Sequence, residues 1–199
     1  MKAVSVRWAI ALALVTASSG AQSLAHQADL KPVERREVVI PINDFTLLDQ
    51  HSRVFKFTQI TGRVVVVAFA YTTCPDVCPL ITAALRQVQS GLSAAEGKKV
   101  FFLTITTDPE IDAPPVLAGY AKRYRADLTN WAFLTGEPAP LQKVWKNFGV
   151  GVKRKGRGLV DHTPLTAVID RWGKMRLAYI GPMPNVKVVL QDVRRLLGQ

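Results

Sequence analysis

The sequence is poor in the residues and patterns that mark several functional classes. It contains only two cysteines and three histidines among 199 residues, and they do not have the spacing of a zinc finger. It has no helix-turn-helix or RNA-binding motif, so we expect no nucleic-acid partner. It also has no internal repeats and no low-complexity linkers. A chain of this length then predicts one domain with a sizeable core.

The first 27 residues are predicted to be a secretory signal peptide. Lys2 and Arg7 form its positive region, residues 8–17 are apolar, and residues 23–25 (Ser-Leu-Ala) form a small-x-small cleavage site. The apolar run is shorter than the ~20 residues that span a bilayer, and an uncleaved anchor is the alternative. No cysteine lies near the cleavage site, so we expect no lipid anchor. Residues 28–199 are predicted to form the single exported domain.

Acidic residues are scarce relative to basic ones. The chain has 15 Asp and Glu against 26 Lys and Arg, and loss of Lys2 and Arg7 with the signal lowers its formal charge from +11 to +9. A basic surface favours an acidic protein face or lipid headgroups as partners. The stretch Lys-Arg-Lys-Gly-Arg at residues 153–157 is the most basic. It either docks an acidic partner or is a solvated loop.

The two cysteines lie between a predicted buried strand and a predicted helix. Residues 64–70 are continuously apolar, Cys74 and Cys78 follow, and residues 81–92 have helical spacing. The carboxyl end of a central strand is where ligands collect in open α/β sheets. The positive end of a helix favours a thiolate there.

Two thiols one helical turn apart allow more than one chemistry. Their Cα atoms would be roughly 6 Å apart, which suits a disulfide and also lets both sulfurs bind one soft metal such as Cu(I). A structural disulfide, or two cysteines buried as small apolar residues, is the plainer alternative. The spacing differs from the CxxC of thioredoxin-like redox enzymes.

Strands and helices alternate along the rest of the chain. The predicted strands cover residues 45–48, 54–57, 64–71, 100–105, 131–136, 165–170 and 174–180, and the predicted helices cover 81–92, 116–125, 138–148 and 186–197. Residues 26–41 are predicted to be an extended lead-in, 93–99 a polar loop, and 150–159 an exposed loop or hairpin. This order predicts an α/β thioredoxin-like fold with an added N-terminal β-hairpin and an inserted hairpin before the C-terminal strands.

His162 is the candidate third member of the cysteine site. In a thioredoxin-like sheet, the loop before the last hairpin lies beside the turn that holds Cys74 and Cys78. Two thiolates and one imidazole suit both Cu(I) and Cu(II). Asp161 either orients the imidazole or is a turn residue. A packed or solvated histidine is the alternative.

Three motifs resemble those of a known family. Residues 69–79 (Phe-Ala-Tyr-Thr-Thr-Cys-Pro-Asp-Val-Cys-Pro), 108–112 (Asp-Pro-Glu-Ile-Asp) and 161–163 (Asp-His-Thr) are similar, in this order, to the signatures of the Sco/SenC family of copper-binding assembly factors. The resemblance covers about residues 45–197. It implies a thioredoxin fold in which Cys74, Cys78 and His162 bind copper as Cu(I) or Cu(II). It gives supporting roles to the acids of the second and third motifs, which are Asp108, Asp112 and Asp161.

The resemblance also implies a function and a location. Family members deliver copper to the dinuclear site of cytochrome c oxidase subunit II, or keep that site's cysteines reduced. We therefore expect a periplasmic copper metallochaperone, with tethering to the inner membrane as an alternative. A thiol–disulfide reductase using Cys74 and Cys78 as its catalytic pair, or a redox or copper sensor, is the alternative function. The expected partners are subunit II or another copper-site protein, a periplasmic copper donor, a thioredoxin-like reductant and the membrane surface.

Overall fold

A computed structural model describes residues 32–199, so the predicted signal peptide at residues 1–27 lies outside the described residues. The strands are β1 (Glu34–Pro41), β2 (Thr46–Leu48), β3 (Val54–Lys56), β4 (Val64–Ala70), β5 (Val100–Thr106), β6 (Trp131–Leu134), β7 (Val152–Gly156), β8 (Leu159–His162), β9 (Leu165–Ile169) and β10 (Lys174–Ile180). The helices are α1 (Val77–Ser90), α2 (Ala94–Gly97), α3 (Pro114–Arg123), α4 (Pro138–Asn147) and α5 (Val186–Leu197). None of the helices in this part of the chain is both long and apolar enough to cross a membrane.

Six strands form the central sheet, in the order β1-β10-β9-β4-β5-β6. β4, β5 and β6 are mutually parallel. On the other side of β4 the strands alternate in direction: β9 is antiparallel to β4, β10 to β9, and β1 to β10. The carboxyl ends of β4, β5, β6 and β10 therefore share one edge with the beginnings of β1 and β9. We call this the carboxyl edge.

The sheet is covered on both faces, which explains the uninterrupted apolar sequence of β4. All seven residues of β4 are buried. Val64 and Val66 face a core formed with α1, α3 and α5. Val65 and Val67 face a second core formed with α4 and the β2–β3 hairpin. Successive side chains of a strand point to opposite faces, so a strand between two cores must be apolar at every position.

The predicted α/β thioredoxin-like arrangement is confirmed, including the N-terminal hairpin β2–β3 and the inserted hairpin β7–β8. Two segments differ from the prediction. Residues 34–41 are not only a lead-in, because they pair with β10 as an edge strand. The polar loop at residues 93–99 contains one helical turn, α2, where Ser93 and Glu96 form a capping box.

β1 was not predicted because most of its residues are exposed and a charged residue, Arg35, makes its strongest side-chain contact with the domain. The Arg35 guanidinium donates hydrogen bonds at 2.8 Å to both carboxylate oxygens of Asp192 on α5. Asp192 also accepts a hydrogen bond from the Tyr179 hydroxyl of β10. A strand held in this way lacks the alternation of apolar residues by which strands are recognised in a sequence.

Candidate metal centre

The two cysteines lie where β4 gives way to α1, at the carboxyl edge. Cys74 lies in the connecting turn, and Cys78 lies in the first turn of α1. The backbone N–H of Cys78 donates a hydrogen bond to Cys74 Sγ at 3.5 Å. Both residues are free thiols, and Cys74 keeps 9% of its surface exposed whereas Cys78 is fully buried. Cys74 is therefore the sulfur that an external reactant reaches first.

The two thiols differ strongly in acidity. A hydrogen bond from the Cys78 thiol lowers the pKa of Cys74 to about 5, and the backbone amides of Asp76 and Cys78 and the Tyr71 side chain act in the same direction against burial. The same Cys74–Cys78 hydrogen bond raises the pKa of Cys78, and burial and the charge of Cys74 add to the rise. Near neutral pH the pair is a Cys74 thiolate beside a Cys78 thiol.

His162 lies beside the buried thiol. Its Nε2 atom is 3.8 Å from Cys78 Sγ, and its Nδ1 atom is 3.1 Å from the carbonyl oxygen of Thr163. A carbonyl oxygen only accepts, so Nδ1 carries the proton and Nε2 keeps a free lone pair. Burial lowers the pKa of His162. The imidazole is thus held in the neutral form that binds metal ions.

The β7–β8 hairpin brings His162 to the cysteines. Val152 pairs with His162, and Arg154 pairs with Val160, so these four side chains share the face that looks onto the domain. A small apolar cluster joins the hairpin to the cysteine turn. Its buried members are Ala70, Tyr71, Cys74, Cys78 and Val160. The imidazole reaches the thiols because the strand that carries it packs on their turn.

Three polar contacts fix the hairpin. The Arg154 guanidinium donates to Asp108 Oδ1 at 2.7 Å and also pairs with Glu110. The Thr73 hydroxyl, next to the first cysteine, donates to the carbonyl oxygen of Gly158 at 3.0 Å. These contacts join the hairpin to the carboxyl end of β5 and to the cysteine turn, and so position His162.

Asp112 holds the cysteine turn in place through hydrogen bonds to Thr72. Its fully buried carboxylate accepts hydrogen bonds from the backbone N–H of Thr72 at 3.2 Å, from the Thr72 hydroxyl at 2.5 Å and from the Thr106 hydroxyl at 2.6 Å. Burial raises the pKa of Asp112. Thr72 lies two residues before Cys74, so this carboxylate sets the path of the chain into the turn.

The structure brings three of the predicted site residues together and places a fourth, Asp161, away from them. Cys74, Cys78 and His162 come together at the carboxyl edge. Asp161 does not contact the imidazole. It lies exposed in β8, with its carboxylate 3.8 Å from Lys155 Nζ, and the Thr163 carbonyl takes the orienting position instead.

The sequence interpretation missed the threonines and the arginine that hold the cysteine turn and the hairpin. Thr72 and Thr73 immediately precede Cys74 and were recognisable only by that position. Arg154 is 46 residues from Asp108, and no sequence signal links the two.

The donor atoms fit a soft metal ion. Two sulfurs and one unprotonated imidazole nitrogen form a set that suits copper. Within residues 32–199, no three His, Cys, Asp or Glu side chains already converge at the spacing of a formed metal site.

Known proteins and solved structures are similar to this chain in sequence and fold. An SCO2-like protein of Rickettsia felis is 30% identical over 151 residues, which are 71% of this chain and 71% of the relative. The structure of Bradyrhizobium japonicum ScoI with copper bound is 26% identical, with a TM-score of 0.68, and covers 78% of this chain and 99% of that one. A third similar structure is that of BsSco, a member of the Sco family of cytochrome c oxidase assembly proteins in which a disulfide switch was identified. It is 25% identical, with a TM-score of 0.69, and the match covers 82% of this chain and 96% of BsSco.

The fold and the site together define a thioredoxin-like protein with a CxxxC dithiol and a neighbouring histidine. The SCO1/SenC family model matches residues 34–198. The chain belongs to the SCO1/SenC family.

Proposed function

We propose that this protein is a copper metallochaperone that binds copper through Cys74, Cys78 and His162 and passes it to the dinuclear site of cytochrome c oxidase subunit II. The observation that carries the proposal is the meeting of two thiols with an unprotonated Nε2 at the carboxyl edge. Copper is bound in the related B. japonicum structure, and BsSco belongs to a family of oxidase assembly proteins. The location that accords with this role is the periplasm.

Each side chain has a distinct part in accepting and releasing the metal. Cys74 is the more exposed of the two cysteines and is a thiolate. Its sulfur therefore binds the copper first when a donor delivers the ion and releases it last when an acceptor takes it. Cys78 must lose its proton when it binds, because only the thiolate is a good ligand. His162 offers Nε2 without losing a proton. Release follows by exchange of these ligands for the thiols of the acceptor.

Thiol–disulfide reduction is the second candidate function, and the asymmetric acidity of the pair favours it. The Cys74 thiolate is suited to attack a partner's disulfide, and the buried Cys78 is suited to resolve the mixed disulfide. This reaction needs no imidazole, whereas the copper reaction uses all three residues. The two functions therefore respond differently to replacement of His162.

Copper binding by the reduced protein without residues 1–27 tests the proposal. We expect one copper per chain, with a sulfur-to-copper charge-transfer band in the Cu(II) form. Cys74→Ser and Cys78→Ser should each abolish retention of copper against a modest chelator. His162→Ala should lose or shift the Cu(II) band while keeping more of the Cu(I), because thiolates alone serve the softer ion.

His51→Ala is the matched control, because His51 is exposed in the turn after β2 and should leave copper binding unchanged. A protein that fails to retain copper while its cysteines cycle as a disulfide would be a reductase and not a metallochaperone. Full activity of His162→Ala in cells would point the same way.

A further inference from the structure

The outer face of the β7–β8 hairpin carries the strongest charge near the cysteines. Lys153 pairs with Asp161 across the hairpin, and Lys155 Nζ lies 3.8 Å from the carboxylate of the same Asp161, so both lysines are on one side. Arg157 lies in the connecting turn and is exposed. Three cations therefore face outward with a single acid among them, Asp161. We call Lys153, Lys155 and Arg157 the hairpin cations.

The hairpin cations are not engaged by the rest of the domain. The one ion pair that any of them makes within the described residues is the 3.8 Å contact between Lys155 and Asp161, and both of those side chains are largely exposed. Arg154, by contrast, points inward and is held by Asp108 and Glu110. The inner cation thus positions the hairpin, and the outer ones remain available to a partner.

The hairpin that carries these cations packs against the cysteine turn. Gly158 accepts a hydrogen bond from Thr73, the neighbour of Cys74, and Val160 packs in the same cluster as the cysteines. The turn of the hairpin, which carries Arg157, therefore lies beside the turn that carries Cys74. Leu159, 51% exposed next to the turn, adds an apolar contact among the cations.

We infer that the hairpin cations, with Leu159, form the docking surface for an acidic segment of the protein that exchanges with the cysteine pair. This inference rests on the proposed function and names the chemistry of its partner. An anionic membrane is the less suitable occupant, because the surface has a single large apolar side chain and adjoins the reactive sulfur. Attraction of opposite charges raises the rate of encounter and falls with ionic strength.

Thiol–disulfide exchange with charged peptides tests the surface. The probes are two peptides of equal length, each closed by a Cys-Xaa-Xaa-Xaa-Cys disulfide and flanked by either four Glu or four Lys. The Cys74 thiolate attacks one peptide sulfur and frees the other as a thiolate, which takes up a proton. Cys78 then loses its proton and displaces the first peptide sulfur, leaving a reduced peptide and a Cys74–Cys78 disulfide.

We expect the acidic peptide to react about tenfold or more faster than the basic one at ~20 mM salt, and this ratio to shrink towards one at ~300 mM. The variant Lys153→Glu, Lys155→Glu, Arg157→Glu should reverse the preference. The matched control is Lys98→Glu, Lys122→Glu, Arg123→Glu, because these exposed residues lie towards the opposite edge of the sheet and the net charge changes equally. The control should keep most of the preference.

Three outcomes would overturn the inference. One is equal rates for both peptides at low salt, and another is an equal loss of preference in both triple variants, which would show the effect of net charge alone. The third is that the hairpin variant loses binding to phosphatidylglycerol vesicles while its peptide preference stays intact, which would make the surface a membrane contact. Copper binding measured on the same variants keeps the proposed function separate, since a protein that binds copper without a charge preference contradicts the docking surface alone.

Discussion

Cys74 of the reduced protein is expected to react with iodoacetamide almost equally fast at about pH 8 and about pH 6. A hydrogen bond from the Cys78 thiol, the largest cause, and hydrogen bonds from backbone amides of the turn lower its pKa to about 5. Cys74 therefore remains a thiolate across this range. An ordinary cysteine, with a pKa near 8.5, loses roughly 70-fold in thiolate over the same two units. Only the thiolate is alkylated. The rate for Cys74 should fall below about pH 5, as the sulfur gains its proton.

Mass spectrometry of the labelled protein should show that only one of the two cysteines reacts. Cys78 is fully buried and its pKa is raised, so labelling should stop at Cys74 until the protein is unfolded. Cys74→Ser should abolish labelling of the folded protein. Cys78→Ala should shift the midpoint of the Cys74 profile upward, because it removes the thiol that donates to the Cys74 sulfur. A rate that falls by tens of fold between pH 8 and pH 6 would contradict the thiolate–thiol pair.

Replacement of Asp112 by Ala is expected to lower the free energy of unfolding by about 2–4 kcal/mol. The substitution leaves the fully buried Thr106 hydroxyl and the half-buried N–H and hydroxyl of Thr72 without their acceptor. An unsatisfied buried group costs about 1–3 kcal/mol, and a half-buried one costs less because water can reach it. Urea unfolding followed by circular dichroism measures the difference. The turn that holds Cys74 should also loosen, so its alkylation midpoint should move towards that of an ordinary thiol.

Two variants calibrate this effect. Asp112→Asn keeps an acceptor oxygen and removes the charge whose burial raises the pKa of Asp112, so its loss of stability should be smaller than that of Ala. Asp161→Ala removes an exposed carboxylate close to the same site and should change stability by less than about 0.5 kcal/mol. Equal losses for Asp112→Ala and Asp161→Ala would mean that the buried carboxylate does not support the turn.

The central part of the fold could be predicted because its pattern is local. Seven consecutive buried residues in β4 and the helical spacing of α1 and α5 are visible in short windows of sequence. β1 could not be predicted in this way. Its attachment depends on Arg35 and Asp192, which are 157 residues apart, and on pairing with a strand near the end of the chain.

In the candidate site, too, some residues could be predicted from the sequence and others could not. Cys74, Cys78 and His162 could be proposed because their residue types are rare in this chain and suit one metal. Of the residues that position them, Asp108 and Asp112 could be proposed only through the resemblance of their motif. Their partners Arg154 and Thr72 could not be proposed. Asp112 and Thr72 are 40 residues apart, and threonine and arginine are common residues whose role emerges only when the hairpin folds over the cysteine turn.

The direction of β1 determines at which edge of the sheet this strand begins. Glu34 pairs with Ile180, the last residue of β10, so the chain enters the sheet at the carboxyl edge, on the side of the cysteines. The edge of the sheet at which β1 begins is thus the same edge that carries Cys74, Cys78 and His162. A partner that docks at the carboxyl edge would therefore meet the start of β1 as well as the sulfurs.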